Sequence, residues 1–315
     1  MPDHRPSEPA PTPPVEAAAE AASIPAPRRD DPVRGILMVV LAVAFFSCSD
    51  AMAKYLNQTL PSIEIGWMRY AVFTVIVLPL AMAFGGGPRV IRTQRPVLQI
   101  LRGLGMLGSA LFFIFAVRSL PMAEAAAISY ISPTFVTALS IPLLGERVGI
   151  RRWIAVLVGL MGVLIVARPG GAAFQPAAIF PVLSAMSWAC GIVITRKMSG
   201  HEDTATTLVW TSLTGFVVLS VLLPFDMRMP TGFEMLLGLG IGVVSTIGQY
   251  MMVVAYRFGS ASLLAPFSYV QLIWSASLGY LVFSAIPDAW TFVGTAIIAA
   301  SGLYTAHRER MRRRA

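Results

Sequence analysis

Ala116 to Tyr130 reads AVRSLPMAEAAAISY, and 139 residues later Ala255 to Tyr269 reads AYRFGSASLLAPFSY. Without a gap, Ala116, Arg118, Ala126, Ser129 and Tyr130 meet identical partners in Ala255, Arg257, Ala265, Ser268 and Tyr269. Leu41 to Lys54 (LAVAFFSCSDAMAK) aligns in the same way with Leu183 to Arg196 (LSAMSWACGIVITR) at a spacing of 142, pairing Cys48 with Cys190 and Lys54 with Arg196. A near-constant internal period marks a duplicated unit. An odd number of apolar spans separates the copies, so Arg118 and Arg257 are expected at opposite faces of a bilayer. The two units then have inverted topology.

Composition places the chain in lipid. Hydrophobic residues make up 56% and charged residues 13% of the sequence, and the mean hydropathy is +0.70. One soluble core cannot hide that much apolar surface. The net charge of +8 comes from basic residues that lie between apolar runs and at the tail, where membrane orientation accounts for them, so no nucleic-acid partner is read from it. Cys48 and Cys190 occupy matching places in two apolar segments, which favours packing over a disulfide. Residues 1–34 are rich in proline, alanine and charge and read as a disordered cytoplasmic tail. The first apolar run begins at Gly35 and continues into a full-length span, which makes it a retained helix rather than a cleaved signal.

Crossing the hydrocarbon core takes roughly 20 apolar residues as a helix. Ten segments meet this, at 35–56, 63–84, 97–117, 122–144, 153–167, 177–195, 205–224, 233–256, 260–284 and 289–306, the fifth being the shortest. Connections after even-numbered spans carry Arg89, Arg92, Arg95, Arg147, Arg151, Arg152, Arg196, Lys197 and Arg257; the opposite set carries only Lys54, Arg118, Arg168 and Arg228. The positive-inside rule therefore predicts both termini in the cytoplasm, and the basic tail 307–315 agrees. A bacterial-type inner membrane is the expected location.

Spans one to five correspond to spans six to ten. Arg69 lies early in the second span, Pro133 in the fourth, Leu144-Gly145-Glu146 at its end, and Trp153 and Gly162 in the fifth. In these features the chain resembles the EamA-type branch of the drug/metabolite transporter superfamily, from Gly35 to about Thr305. The resemblance implies an all-α integral membrane fold of ten transmembrane helices, arranged as two inverted-topology five-helix repeats (35–168 and 177–306). It also implies secondary transport by rocking of one repeat against the other around a midplane site. Phe283-Ser284-Ala285 departs from the pattern, because no acid there duplicates Glu146. Asp50-Ala51-Met52-Ala53-Lys54 is similar to members that handle S-adenosylmethionine or riboflavin.

Ionisable groups within spans cost roughly 2.5–3.5 kcal/mol each on insertion scales, so they are functional candidates. Asp50 and Lys54 lie one helical turn apart in the first span. They form either a self-neutralising pair or a coupling site in which Asp50 binds a proton or a substrate cation and Lys54 sets its charge. Arg69 either snorkels to the outer interface or points inward to bind an anionic group through its planar fork. Glu64 and Glu124, near span ends, read as wet interfacial groups, and Arg102 as an anchor at the entry of span three. Pro133 and Pro266 leave the carbonyls of Ser129 and Ser262 without helical donors, as an ordinary kink does or as a site-forming break does. Glycines at 103, 105 and 108, answered by 238, 240 and 242, predict close helix packing.

The expected substrate site follows from the repeat. Equivalent residues of inverted halves approach the midplane from opposite sides, which brings Ser129-Tyr130 and Ser268-Tyr269 toward one cavity. The tyrosines would stack a flat heteroaromatic substrate, and Phe46 and Trp188, themselves repeat-related, would complete a cage. Packing against lipid is the plainer role for such aromatics. The histidines His4, His201 and His307 all lie outside the spans, so no intramembrane metal site or cofactor is expected. No GxxxxGK[ST] loop is present to hold ATP phosphates, and Asp50 is the one aspartate within a span, against a two-aspartate protease. The sequence is read as a carrier of a small organic metabolite with protons as the candidate coupling ion, taking up a vitamin-like or nucleotide-like compound. Export of amino acids or related metabolites is the alternative, and a non-transporting scaffold or receptor is the reading from another class.

Overall fold

The computed structural model describes residues 31–84, 87–145, 149–168, 175–198, 202–258 and 261–312. Most of the expected N-terminal tail, Glu146 and His201 lie outside the described residues, as does the side chain of Arg257. Within them the chain forms α-helices joined by short turns. Six helices come from the first half: α1 (Pro32–Leu56), α2 (Ser62–Phe84), α3 (Pro96–Ser119), α4 (Met122–Ser129), α5 (Ser132–Leu144) and α6 (Ile150–Ala167). Six more follow in the same order: α7 (Ile179–Met198), α8 (Thr204–Leu222), α9 (Gly232–Phe258), α10 (Ala261–Ser268), α11 (Val270–Phe283) and α12 (Ala289–Arg312).

Local chemistry fixes several ends. Asp31 Oδ1 accepts from the Arg34 amide at 3.1 Å and Pro32 occupies the first turn, so α1 starts where its free amides find an acceptor. Gly145 ends α5 in the left-handed region (φ 69°), where the missing Cβ removes the steric cost. Arg168 and Ser284 end α6 and α11 in the same conformation despite their side chains.

Seven described stretches are long and apolar enough to cross a membrane: Val33–Leu56, Ser62–Phe84, Pro96–Ser119, Met122–Leu144, Pro176–Met198, Thr204–Phe225 and Gly232–Tyr256. The apolar parts of α6 and α12, Trp153–Ala167 and Ala289–Tyr304, are shorter. The expected ninth span is divided at Tyr269 into α10 and α11, neither of which is long enough alone. Large apolar side chains such as Val75, Phe84, Leu157, Met161, Val217 and Val221 point outward. The backbone groups of a helix are satisfied internally, so such a surface suits hydrocarbon rather than water.

Packing is dominated by pairs drawn from different halves: α1 with α9, α3 with α7, α6 with α12, α2 with α8. Advancing or retreating each helix by one repeat converts α1–α9 into α7–α3, and α1–α11 into α7–α5. Small residues mark these seams. A Cβ at Gly105 would come within 2.9 Å of the Ser187 carbonyl and the Gly191 amide, so α3 and α7 touch backbone to backbone. Gly103 lies against Thr214, and its repeat partner Gly242 lies against Val72, the repeat partner of Thr214. The exchange thus holds at single residues.

Polar ties close the two ends of the bundle. At one end the Arg228 amide donates to Glu64 Oε2 (3.1 Å) and its guanidinium to the Thr59 carbonyl (2.6 Å). Glu64 is 3% exposed, so it is not the wet interfacial group expected from the sequence. At that end too, Arg168 meets Asp288 at 2.5 Å, while Asp288 Oδ1 accepts from the Thr291 hydroxyl and amide. The Thr291 hydroxyl first, then its amide and Arg168, together outweigh the upward push of burial and hold the Asp288 carboxyl below its usual range. At the opposite end Glu202 accepts from Thr93 Oγ1 (2.5 Å), the Gln94 amide (2.9 Å) and Gln99 Nε2 (3.3 Å). Partial burial pushes the Glu202 carboxyl up, but these donors together hold it below the usual glutamate range.

Candidate functional site

Tyr130 occupies the break between α4 and α5, and Tyr269 the break between α10 and α11. The rings face each other with centroids 4.8 Å apart and planes tilted by 33°. Both breaks are legible as backbone chemistry. Pro133 has no amide to offer the Ser129 carbonyl, and the Thr134 amide bonds instead to Ile131. Around Tyr269 the ladder tightens, with the Tyr269 amide on Pro266 and the Leu272 amide on Tyr269 itself. The Ser268 carbonyl accepts from the Tyr130 hydroxyl at 2.5 Å, and Gln271 Oε1 accepts from the same hydroxyl at 3.3 Å.

The two tyrosines are not equivalent in this conformation. Tyr130 binds across to the other half, while the hydroxyl of Tyr269 fills the notch left by the missing side chain of Gly302. The residue at the repeat position of Gly302 is Val163, so the first half has no such notch. Between the rings and α6 and α12, a cleft is lined by Pro133, Thr134, Thr137, Gly159 and Ser301, with room for a water but not for a metabolite. The facing pair therefore fills the meeting point of the halves. Ser129 Oγ reaches the Pro181 carbonyl at 3.5 Å and adds nothing to the cleft.

Phe46 and Trp188 stand elsewhere. Phe46 packs on Gly248 of α9, Trp188 is exposed on α7, and no ring contact joins either to the tyrosines. A four-aromatic cage is thus not formed in this conformation, because Phe46 is turned toward α9 and Trp188 toward the surface of α7.

Asp50 is 7% exposed, and its partner is Arg69, whose Nη1 lies 3.9 Å from Oδ1. Arg69 therefore turns toward α1 rather than snorkelling to the interface. Asp50 and Lys54 do not pair, despite their one-turn spacing. The Lys54 ammonium donates to the carbonyls of Val117 and Leu120, both at 2.7 Å, and sits 5.5 Å from the ring centre of Phe283. Those carbonyls close the end of α3, where the helix dipole favours a cation. Lys54 is thus a cap on α3 and not a tuner of Asp50.

The fold brings two further polar residues to prominence: Gln271, which carries no signal in the sequence, and Arg102, which the sequence reads only as an anchor at the entry of span three. Gln271 joins the tyrosine pair, and Arg102, 8% exposed, bonds through Nε to Thr195 Oγ1 (2.7 Å) and through Nη1 to Thr211 Oγ1 and the Thr207 carbonyl (3.3 Å). Neither has a like partner in the other half, where Ser132 and Ile241 occupy the related positions. A search for duplicated residues is blind to both. Among the described residues no cluster of His, Cys, Asp and Glu is arranged to hold a metal.

Comparison with known proteins locates this arrangement. One solved crystal structure superposes with a TM-score of 0.61 at 22% identity, covering 87% of this chain and 98% of that one, which shows a shared fold. A riboflavin transporter of Vibrio cholerae is 32% identical over 86% of this chain and 92% of its own length. An S-adenosylmethionine uptake transporter of Rickettsia felis is 28% identical over 88% and 93%, and a pseudopaline exporter of Pseudomonas aeruginosa is 30% identical over 85% and 94%. With residues 33–168 and 175–305 each matching that family, two copies in one chain, this protein belongs to the EamA-like transporter family.

Proposed function

We propose that this protein is a ten-span secondary carrier of the inner membrane with both termini cytoplasmic, in which two inverted five-helix repeats rock about the Tyr130–Tyr269 contact. α4 with α5, and α10 with α11, each make one interrupted span. The observation that carries the reading is the placement of the two repeat-related tyrosines, each at a helix break and each against the other (4.8 Å). Interrupted helices paired across a repeat are where carriers place their substrate sites, because freed carbonyls and side chains can face a cavity there. The exchange of α1–α9 with α7–α3 supports the inverted arrangement.

Uptake of a vitamin-like or nucleotide-like compound, such as riboflavin or S-adenosylmethionine, is the substrate reading. A flat heteroaromatic system suits the tyrosine rings once they separate, and Ser268 and Gln271 lie within a turn to receive its polar edge, joined by Ser129 if its hydroxyl leaves the Pro181 carbonyl. Asp50, the aspartate within α1, serves as the proton-coupling carboxylate, with Arg69 as its counter-ion when it is charged. Export of a metabolite is the second reading, favoured by the 30% identity to the pseudopaline exporter. Labelled riboflavin and S-adenosylmethionine, offered to cells that overproduce or lack the protein, separate the two. Faster saturable entry on overproduction supports uptake; unchanged entry with faster loss from preloaded cells supports export.

A further inference from the structure

A polar line runs along the seam between α1 and α11. The buried hydroxyls of Ser47 (0% exposed) and Ser275 (1% exposed) are 3.5 Å apart across this seam. Asp50 lies three residues beyond Ser47 on α1, and Gln271 lies four residues before Ser275 on α11, so each shares a helix face with its serine. The line therefore starts at the Tyr130 hydroxyl, on Gln271, and ends at the Asp50–Arg69 pair.

The other half supplies an internal control. Repeat-related positions of Ser47, Asp50, Gln271 and Ser275 are Ala189, Ile192, Ser132 and Val136. Ala189 and Val136 share one apolar cluster, against which Ile192 packs, and α5 meets α7 there as α11 meets α1. The fold can thus build this seam from apolar residues. Burying hydroxyls and a carboxylate at the sister seam costs free energy that packing alone does not require. A buried hydroxyl pair and carboxylate kept in one half only point to a role beyond assembly.

We propose that the α1–α11 seam, through Ser47 and Ser275, is the proton path of this carrier, linking the midplane tyrosines to Asp50. The inference rests on the proton-coupled reading of Asp50. When the tyrosine rings part, water reaches Gln271 and Ser275, and a proton passes from it by way of the serine hydroxyls to Asp50. Each hydroxyl accepts one proton and gives up another, so the net change is one proton gained by the Asp50 carboxylate and one lost by the water chain. Protonation cancels the charge that holds Arg69, which frees the guanidinium and biases α2 against α1. The charged or titratable groups facing Asp50 are Arg69 from α2 and, on its own helix, Cys48. Lys54 is engaged at the end of α3, and no charged side chain is recorded against Asp50 from α9, α10 or α11 among the described residues.

The test transplants the sister seam. Ser47→Ala with Ser275→Val recreates the Ala189 and Val136 pair, and Ser47→Ala with Ser275→Ala guards against overpacking at Ser275. Purified protein in proteoliposomes is assayed for riboflavin exchange at equal pH and for accumulation driven by an inward proton gradient. In parallel, the infrared carboxyl band assigned by loss in Asp50→Asn follows protonation of Asp50 without any substrate. Both double variants are expected to keep exchange, lose gradient-driven accumulation, and slow the appearance of the Asp50 band after a pH jump. Accumulation and band kinetics equal to wild type would overturn the path. Loss of exchange together with unchanged band kinetics would make the seam a substrate contact and also overturn it. Wild-type protein that moves no riboflavin would contradict the substrate reading alone, since the infrared arm still reports the path.

Discussion

Removing the Lys54 ammonium strands the carbonyls of Val117 and Leu120, and a buried acceptor left without its donor costs about 1–3 kcal/mol. Lys54→Met is therefore expected to lower thermal stability in detergent by that order, and Asp50→Asn should not restore it. A double-mutant cycle gives the sharper statement. Asp50 and Lys54 should act additively, whereas Asp50 and Arg69 should show a measurable interaction energy. Asp288 makes a separate forecast. Its folded-state carboxyl is held below its ordinary value, so its contribution to stability is present above the unfolded value, about 3.9, and is lost as pH falls through the folded one. Acid titration of unfolding should show a loss in that window that Asp288→Asn abolishes; an identical acid profile in the variant would refute a stabilising tie of Asp288 to Thr291 and Arg168. At this scale the sequence revealed the tyrosines because they recur, and it missed Gln271 because its counterpart is Ser132. It also misled on Asp50, since a one-turn spacing says which residues share a face and not which neighbour crosses from another helix.

Helix breaks govern the next level. The apolar runs 122–144 and 260–284 look continuous by hydropathy, yet each is divided at its tyrosine. Pro133 and Pro266 signalled distortion, but Pro133 falls after its break and Pro266 before its own, so proline position alone does not locate the turn. The glycine pattern was more informative: Gly103 and Gly242 mark equivalent close approaches in the two halves. Gly302 carries a prediction of its own. A methyl group there would collide with the Tyr269 hydroxyl, so Gly302→Ala should destabilise the resting conformation by about 1–3 kcal/mol. Adding Tyr269→Phe removes the clashing oxygen and should recover part of the loss, measured by thermal unfolding. A double variant no more stable than Gly302→Ala would show that the notch does not seat Tyr269.

Across the whole molecule, the repeat was legible from one 15-residue match because sequence identity between halves survives where the halves meet. The exchange of helix partners extends it to residues with no identity at all, such as Thr214 and Val72, whose relation only the packing exposes. The orientation proposed from the arginine asymmetry is open to direct labelling. Single cysteines at Gly86, Gly200 and Ala315, in a Cys48→Ala and Cys190→Ala background, should be shielded from impermeant thiol reagents in intact cells. Cysteines at Gly170 and Thr231 should label. The central claim is that a metabolite crosses where Tyr130 and Tyr269 meet, and riboflavin uptake into proteoliposomes by wild type, Tyr130→Ala and Tyr269→Ala tests it most directly. Saturable wild-type uptake, with half-saturation raised in both variants at equal protein content, is the expected result. Wild-type and variant curves that coincide would contradict the account.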